Sequence, residues 1–307
     1  MNNRMLPKVA VCLAAYNGAL YLTEQLNSIL EQADISVTLF VSVDASSDGT
    51  EAWIDSRAEK DNRIIVLPHG EHFGNAAKNF YRLMKDVNLT DFDYVSFADQ
   101  DDIWLSGKLI YHIRLIKKHQ ADGVSSNVIA FWPNGVEKLI LKSQPQKKLD
   151  YLFESAGPGC TFLMTPWLVD KVRLCLQDEN NPARDVALHD WLTYAICRSS
   201  GKRWFISDEP TVRYRQHDKN VVGANKGLLA KLARLKKLKQ GWYRTEVLKI
   251  TNVCFRVSND SRYQEVISDL SSKEFFARFN LFKYAYVGRR SFFDACILGL
   301  LFISGLF

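Results

Sequence analysis

The sequence predicts an α/β protein with a doubly wound, mostly parallel sheet flanked by helices, followed by a basic helical tail. Two observations predict this fold. Short apolar segments alternate with amphipathic segments along the first third of the chain, and a polar turn follows each apolar segment. Strands separated by helices of about a dozen residues form parallel βαβ units. The chain has 307 residues, 47% hydrophobic and 24% charged, which excludes a disordered or collagen-like protein.

Four strands and three helices are predicted in the first hundred residues. The strands are 8–15, 36–43, 63–67 and 93–98, and each is a short apolar run. The helices between them are 20–31, 48–57 and 76–87, in which apolar side chains recur at helical spacing. Further along the chain, a helix is expected to start near Trp104, another at Asp190, and a strand is expected at 211–215.

Ligands of such sheets bind beyond the carboxyl ends of the strands, so the loops after the strands are the candidate site. These loops carry acids and contain neither GxGxxG nor GxxxxGK[ST], which disfavours a nicotinamide dehydrogenase and a P-loop kinase. Asp99, Asp101 and Asp102 follow the fourth strand directly. Clustered carboxylates favour Mg²⁺ or Mn²⁺ shared with a substrate diphosphate. The alternative is a solvated acidic turn in which Asp102 caps the next helix.

The six cysteines are scattered without metal-ligand spacing, which indicates reduced thiols in a cytosolic protein. The amino terminus shows no signal-peptide pattern and continues directly into the first predicted strand.

Seven segments within residues 7–220 carry a resemblance to a known family. They are AAYNG at 14–18, VDASSDGT at 43–50, GNAAKN at 74–79, FADQDDIW at 97–104, GPGCT at 157–161, HDW at 189–191 and YRQHDKN at 214–220. Each segment is weak alone, but in this order they resemble family 2 glycosyltransferases of the GT-A fold, particularly bacterial rhamnosyltransferase-like members that build surface polysaccharides. The resemblance implies an inverting, metal-dependent transfer of a rhamnose-like or other hexose. The donor would be a dTDP or UDP sugar, and the acceptor a hydroxyl of a lipid-linked saccharide in O-antigen or capsule-type biosynthesis.

The resemblance also implies which residues bind the donor nucleotide. They are Ala14, Tyr16, Asn17, Asp44, Lys78 and Asp99. Tyr16 would stack on the base, and Asp44 would accept the N–H of uracil or thymine. Helix capping is the alternative role for Asp44, although Asp48 is better placed for it. Lys78 stands where many relatives have arginine and would face the diphosphate without the bidentate fork.

The remaining site residues implied by the resemblance serve the metal and the acceptor. Asp101 and His217 would hold Mg²⁺ or Mn²⁺. Asp190 would be the catalytic base, at a helix N-terminus that supports an anion, although it could also be a plain helix cap. The family typically has Glu-Asp at this point, where this chain has His-Asp. The acceptor side would comprise Gly157, Gly159, His189 and Trp191.

The tail differs from the body in charge. Residues 1–218 carry 24 Lys and Arg against 28 Asp and Glu, whereas residues 219–307 carry 16 against 6. Segment 225–244 is a predicted basic amphipathic helix, typical of a membrane-surface segment, and its leucines could instead pack on the body. The last thirteen residues are uncharged but too short to span a bilayer, so they would dip into the interface or form an oligomer contact.

We therefore divide the chain into a catalytic domain, 1–222, and a membrane-associating or oligomerising region, 223–307. The leucines argue for an anionic membrane surface as partner and against nucleic acid. The expected location is cytoplasmic, peripheral on the inner face of the bacterial plasma membrane.

Two other functions stay open. A nucleotidyltransferase acting on sugar phosphates also uses clustered acids, but it would normally have a glycine-rich basic loop after the first strand, and AAYNGAL is not one. The second alternative is a non-catalytic sugar-binding protein with a degenerate transferase fold. The intact Asp99, Asp101, Asp190 and His217 argue against this alternative.

Overall fold

The computed structural model describes residues 5–217, 241–272, 277–305 and 307, and the strands among them form one nine-stranded sheet. The strands are β1 (Lys8–Ala15), β2 (Ser36–Val43), β3 (Ile64–Val66), β4 (Tyr94–Asp99), β5 (Ile103–Trp104), β6 (Gly123–Phe131), β7 (Glu137–Ile140), β8 (Leu163–Met164) and β9 (Trp204–Arg215). Their order across the sheet is β3-β2-β1-β4-β8-β6-β9-β5, with β7 beside β6.

Helices cover both faces of this sheet. They are α1 (Leu22–Leu30), α2 (Thr50–Ala58), α3 (Ala76–Asp86), α4 (Lys108–His119), α5 (Asp150–Phe153), α6 (Pro166–Gln177), α7 (His189–Ser199), α8 (Trp242–Ser258), α9 (Ser261–Ser271), α10 (Ala277–Gly288) and α11 (Phe292–Ser304). Alternate residues of β1 enter two separate hydrophobic cores, Val9 and Val11 on one face and Ala10 and Cys12 on the other. A strand buried on both faces reads as a continuous apolar run, which explains why the first strands were predictable.

The four predicted strands form the parallel half of the sheet. β3, β2, β1 and β4 pair in parallel, and the predicted ranges of β1 and β2 agree with the observed ones. The register pairs Ala14 with Asp99 at the carboxyl ends of β1 and β4. The loops after these strands therefore meet at one edge of the sheet.

The other half of the sheet is mixed and corrects one prediction. The helix expected near Trp104 is wrong, because Trp104 lies in β5, antiparallel to β9, and α4 begins only at Lys108. Asp102 does not cap that helix, since its carboxylate accepts the backbone N–H of Arg215 (3.0 Å). The pairing of Ile103 with Arg213 brings residues 215–217 beside the loop that follows β4.

The C-terminal helices pack on the body. Side chains of α8 to α11 share one hydrophobic core with α3, α6 and α7. Arg290, 1% exposed at its side chain, forms an ion pair with the buried Asp150 (3.1 Å), which also pairs with Arg198 of α7 (3.2 Å). Most of the predicted basic helix 225–244 lies outside the described residues, and the division at 222 stays a prediction. Within the described ranges no helix has the length and apolarity needed to cross a membrane.

Candidate active site

The loop of residues 99–102, here called the acidic loop, lies against the end of β9. The Nε2 atom of His217 is 2.8 Å from Oδ2 of Asp101, and the His217 ring stacks on Tyr21. Arg215 donates from Nε to the carbonyl oxygen of Asp101 (2.7 Å) and from its backbone N–H to Asp102. Hydrogen bonds between the acidic loop and residues 215–217 thus hold together two segments that are more than a hundred residues apart.

A buried polar cluster lies behind the acidic loop. Lys108 is 1% exposed, and its Nζ donates to Ser96 Oγ (3.2 Å) and lies 3.5 Å from the Trp104 ring centroid. Burial lowers the pKa of Lys108 to about 7, against the charges of Cys160 and Asp102, which favour its protonated form. Burial, and then the charges of Asp101 and Asp99, raise the pKa of Asp102. One oxygen of Asp102 has no hydrogen-bond partner among the described groups. The buried amine of Lys108 is therefore close enough to Asp102 for the two groups to interact electrostatically.

The acidic loop carries two sets of metal-ligating side chains. Among the described residues, one set of three has its ligand atoms within 4.8 Å of one another: Asp99, Asp102 and Cys160. Burial raises the pKa of the Cys160 thiol, and a protonated sulfur does not suit Mg²⁺ or Mn²⁺. Asp101 and His217 offer a carboxylate oxygen and an imidazole nitrogen, and their side chains are 13% and 14% exposed. This second set fits a hard divalent ion better.

The loop after β1 is tied to the acidic loop by Gln100. Its amide accepts the backbone N–H of Tyr16 (2.7 Å) and donates to the carbonyl of Tyr16 (2.8 Å). A Cβ at Gly18 would meet this amide at 2.2 Å, so the close approach requires glycine. The side-chain oxygen of Asn17 accepts the backbone N–H of Ser47 (2.8 Å). Tyr16 itself is 51% exposed, as a stacking surface must be.

Asp44 lies at the end of β2 and is 4% exposed. Its two carboxylate oxygens accept the backbone N–H groups of Phe73 and Gly74 (both 2.9 Å), and His72 lies 3.2 Å away. Asp44 is therefore not a helix cap: it orders the loop that leads into α3. Asn79, in the first turns of α3, donates to carbonyls at the ends of β1 and β2 and joins the same framework.

Lys78 lies apart from the acidic residues. It lines a cavity of about 400 Å³ together with Asn75, Arg184 and Lys249. The cavity lies between the first turn of α3 and the segment that precedes α7. Lys78 thus belongs to a basic group at the approach to α7.

Asp190 begins the first turn of α7 and is half-buried. Burial raises its pKa from 3.8 to about 6, while the N–H of Trp191, the hydroxyl of Ser155 and the charge of Lys142 act in the opposite direction. Burial raises the pKa of Asp99 to about 7, and the charges of Asp101 and Asp190 add to that shift. Asp99 and Asp190 are therefore close enough to interact electrostatically.

The four residues expected on the acceptor side are all buried. Gly157 has φ +140°, and a Cβ at Gly159 would meet Nε2 of His189 at 2.4 Å. The His189 ring stacks on Phe80, and burial lowers its pKa to about 3. The Trp191 indole, 3% exposed, donates to the carbonyl of Tyr151 in the core (2.9 Å). All four are therefore packed inside the protein, and their role on the acceptor side stays a prediction.

Three residues of this site were not predicted from the sequence. Gln100 lies inside the acidic loop, where only the neighbouring carboxylates indicate a function. Lys108 resembles any lysine at a helix start, and Lys142 lies in a loop with no periodic pattern. The pairing of β5 with β9 places Lys108 at the site, and the packing around Gly157 places Lys142 there.

The comparisons with known proteins agree with this geometry. Residues 10–158 match the model of the family described as Glycosyl transferase family 2. The chain is 42% identical over 241 residues to dTDP-rhamnosyl transferase RfbG of Shigella flexneri, covering 78% of this chain and 83% of that protein. The chain belongs to glycosyltransferase family 2. It is a glycosyltransferase, as the order of the seven segments predicted.

One further relative and one solved structure also resemble this chain. A glucosyltransferase of Escherichia coli, WfgD, whose name specifies UDP-Glc and GlcNAc-diphosphoundecaprenol, is 26% identical over 155 residues, which are 50% of this chain and 57% of that protein. The solved structure of the mannosyltransferase PcManGT from Pyrobaculum calidifontis, in complex with GDP-Man and Mn²⁺, superposes with a TM-score of 0.54 at 17% identity, covering 99% of this chain and 82% of that chain. At that identity the likeness shows the fold alone, and the fold is the predicted GT-A type.

Proposed function

We propose that this family 2 glycosyltransferase moves a rhamnose-like or other hexose from a dTDP or UDP donor to a hydroxyl of a lipid-linked saccharide, with inversion at the anomeric carbon. The observation that carries the proposal is the placement of a single half-buried carboxylate, Asp190, across from the acidic loop. The name of the Shigella relative makes dTDP-rhamnose the first donor to test.

The proposed donor site runs along the edge formed by β1, β2 and β4. Tyr16 offers an exposed ring for stacking on the base, beside Ala14 and Asn17. Asp44 keeps acceptor capacity for one base N–H, because a carboxylate has about four acceptor positions and two are used here. Asp99 faces the ribose. Lys78, in its basic cavity, is the residue whose proposed contact with the diphosphate has the least support.

Asp101 and His217, with Asp99 beside them, are proposed to hold Mg²⁺ or Mn²⁺. Such an ion, when bound, neutralises the charge that develops on the leaving nucleotide diphosphate. The chain positions its proposed ligands without the ion: Arg215 fixes the backbone of Asp101, and Gln100 fixes the loop against Tyr16.

Asp190 is the proposed base. Its carboxylate takes the proton of the acceptor hydroxyl while that oxygen forms a bond to the anomeric carbon and the bond to the diphosphate oxygen breaks. A single displacement of this kind inverts configuration. A pKa of about 6 suits this role, because the group is unprotonated near neutral pH and still basic enough to accept a proton.

The proposed acceptor is lipid-linked, as the name of the E. coli relative states for that protein. Such an acceptor requires a membrane surface, and the net charge of +10 on residues 219–307 suits an anionic one. We propose a cytoplasmic enzyme, peripheral on the inner face of the plasma membrane, that acts in polysaccharide biosynthesis.

A donor screen tests this function. The protein is incubated with dTDP-rhamnose, UDP-glucose and UDP-N-acetylglucosamine, each with a diphosphoundecaprenol-linked saccharide, with Mn²⁺ or with EDTA. The proposal expects metal-dependent release of one nucleotide diphosphate together with a lengthened saccharide. Pyrophosphate release from a nucleoside triphosphate and a sugar phosphate would show a nucleotidyltransferase instead. Binding of saccharide without turnover of any donor would show a non-catalytic protein.

A further inference from the structure

The turn between α10 and α11 is anchored in the body by one buried arginine. The side chain of Arg290 is 1% exposed, and its guanidinium binds three acceptors. These are Oδ2 of Asp150 (3.1 Å), the carbonyl oxygen of Ser155 (2.6 Å) and Oε2 of Glu154 (3.3 Å). The backbone N–H of Arg290 donates to the second oxygen of Glu154 (2.6 Å). Because the donors of a guanidinium form a rigid plane, these acceptors are held in fixed relative positions.

All three acceptors lie in residues 149–155, a segment that includes α5 and is here called the support segment. The end of α10 holds this segment as well. The backbone N–H of Leu149 donates to the carbonyl of Val287 (3.0 Å), and a Cβ at Gly288 would lie 2.4 Å from the ring of Phe153. The C-terminal hairpin of α10 and α11 therefore fixes the support segment at both of its ends.

The other side of the support segment lies against the start of α7. The indole of Trp191 donates to the carbonyl of Tyr151 (2.9 Å), and the hydroxyl of Ser155 lies beside the carboxylate of Asp190. Arg290 thus binds Ser155 through its carbonyl, while the Ser155 hydroxyl reaches the proposed base. One residue of the support segment connects the hairpin to Asp190.

The hydroxyl of Ser155 has two acceptors within reach, so its position decides which group it stabilises. One is the carbonyl of Gly157 (3.0 Å), and the other is the carboxylate of Asp190. Burial raises the pKa of Asp190, and the Ser155 hydroxyl acts against that shift. A serine hydroxyl has a single proton to donate. A small displacement of the support segment would leave this proton with Gly157 and raise the pKa of Asp190 further, because a hydrogen bond to a carboxylate favours its charged form.

We propose that Arg290 is a positioning residue for Asp190, and that the C-terminal hairpin thereby completes the catalytic site. Arg290 holds the backbone of Ser155, and Ser155 in turn keeps its hydroxyl beside the base. The hairpin lies outside residues 10–158, the part of the chain that matches the family. The inference rests on the proposed function, since it takes Asp190 as the base.

Other groups also act on the charge of Asp190, so the informative variant is one that keeps the charge of Arg290. These groups are Lys142 in the loop after β7, Asp99 at the end of β4 and Tyr81 of α3. The charge of Arg290 itself acts on Lys142. Arg290→Lys keeps this charge but loses the planar fork, so an effect of the variant comes from geometry.

The pH dependence of sugar transfer by the full chain tests this role. Arg290→Lys is expected to lower kcat about 10–100-fold and to leave the KM for the donor unchanged, since misplacing a catalytic group has an effect of this size. The pH below which kcat/KM falls should rise above 6 in Arg290→Lys and in Ser155→Ala, because both lose the hydroxyl beside Asp190. The double variant should be little worse than either single variant, since both changes act through one hydroxyl.

Arg198→Lys is the matched control. Arg198 binds the other oxygen of Asp150 from α7 (3.2 Å), and none of its hydrogen bonds in the described part of the chain is to Ser155. The control should lower the melting temperature, as Arg290→Lys does, while keeping the kcat and the pH dependence of the wild type. A purely structural role of Arg290 would make the two variants alike.

Two results would overturn the inference. One is wild-type kcat and pH dependence in Arg290→Lys, and the other is a double variant whose loss is the product of the two single losses. If Arg290→Lys does not fold, wild-type pH dependence in Ser155→Ala overturns the inference, because that variant lacks the hydroxyl through which Arg290 would act. A wild type that transfers no sugar contradicts the proposed function and this inference with it. An active wild type beside an unaffected Arg290→Lys contradicts this inference alone.

Discussion

The acidic loop and the start of α7 both carry carboxylates, and their surroundings differ. The acidic loop has three carboxylates, with the imidazole of His217 beside Asp101 and the buried amine of Lys108 within electrostatic range of Asp102. Asp190 is the one carboxylate at its helix start: it accepts the backbone N–H of Trp191 (2.7 Å) and lies near the hydroxyl of Ser155 and the charge of Lys142.

This difference indicates two kinds of chemistry. Clustered acids that raise one another's pKa favour a bound cation, because a cation relieves their repulsion. A solitary carboxylate with a pKa raised to about 6 exchanges a proton near neutral pH. The acidic loop is thus suited to hold a fixed charge, and Asp190 to move a proton.

Replacing the solitary acid should have the largest effect. Asp190→Asn is expected to lower kcat about 10²–10⁴-fold, the usual contribution of general base catalysis. The amide keeps the shape of the side chain but accepts no proton, so donor affinity should change little. Glu179→Gln, at an exposed acid between α6 and α7, is the control and should keep wild-type turnover. A parallel loss of donor affinity in Asp190→Asn would make Asp190 a binding residue.

Removing a carboxylate charge from the acidic loop should lower sugar transfer by weakening the binding of the metal. Asp101→Asn is expected to lower metal-dependent transfer about 10²–10³-fold, since charge neutralisation by a metal stabilises the transition state by several kcal/mol. Titration of activity with Mn²⁺ measures it, with the exposed Asp91→Asn as control. Wild-type turnover at every Mn²⁺ concentration would show that the acidic loop does not hold the ion.

Replacing the buried Lys108 tests how a charge behind the acidic loop affects metal binding. Lys108→Met keeps most of the volume but removes an amine that, when protonated, repels a cation bound at the acidic loop. We expect about two- to tenfold tighter Mn²⁺ binding, with a smaller change in kcat at saturating metal. Lys117→Met, on the exposed side of α4, serves as the control. Unchanged Mn²⁺ affinity with reduced thermal stability would make Lys108 a purely structural residue.

The smallest expected effect is a pH dependence. A base must be unprotonated, so kcat/KM should be at its plateau above pH 6 and fall about tenfold per unit below it. The pH below which kcat/KM falls would be near 4 for an unperturbed aspartate, and burial of Asp190 moves it to about 6. Lys142→Met removes a charge that lowers the pKa of Asp190, so the fall should begin at a higher pH. A wild-type enzyme whose kcat/KM falls only below pH 4 would mean that Asp190 is solvated when it acts.

The parallel half of the fold was predictable because its signals are local. β1 and β2 are apolar runs bounded by turn residues, and the observed bounds agree with the predicted ones. β5 was missed because a two-residue strand exists only through its partner in β9, more than a hundred residues away. The loops that bear acids were predictable for the same local reason.

The burial of the site was not predictable from local pattern. Lys108 and His189 are residue types that are usually exposed or titrating, and tertiary packing buries both and lowers the pKa of each. Trp191 looked like an acceptor contact because it follows Asp190, whereas its place on α7 turns it into the core. The family resemblance predicted the positions, and the structure shows how deeply each of them is buried.

Calorimetric binding of the donor nucleotide diphosphate, with and without Mn²⁺, tests the division between the two regions most directly. Asp190→Asn is expected to bind the nucleotide like the wild type, with the same increase in affinity from Mn²⁺, although it does not turn over. Asp101→Asn is expected to lose that increase. If Asp190→Asn loses the gain in nucleotide affinity from Mn²⁺, or if Asp101→Asn keeps it, the acidic loop is not the metal site or Asp190 is not purely the base.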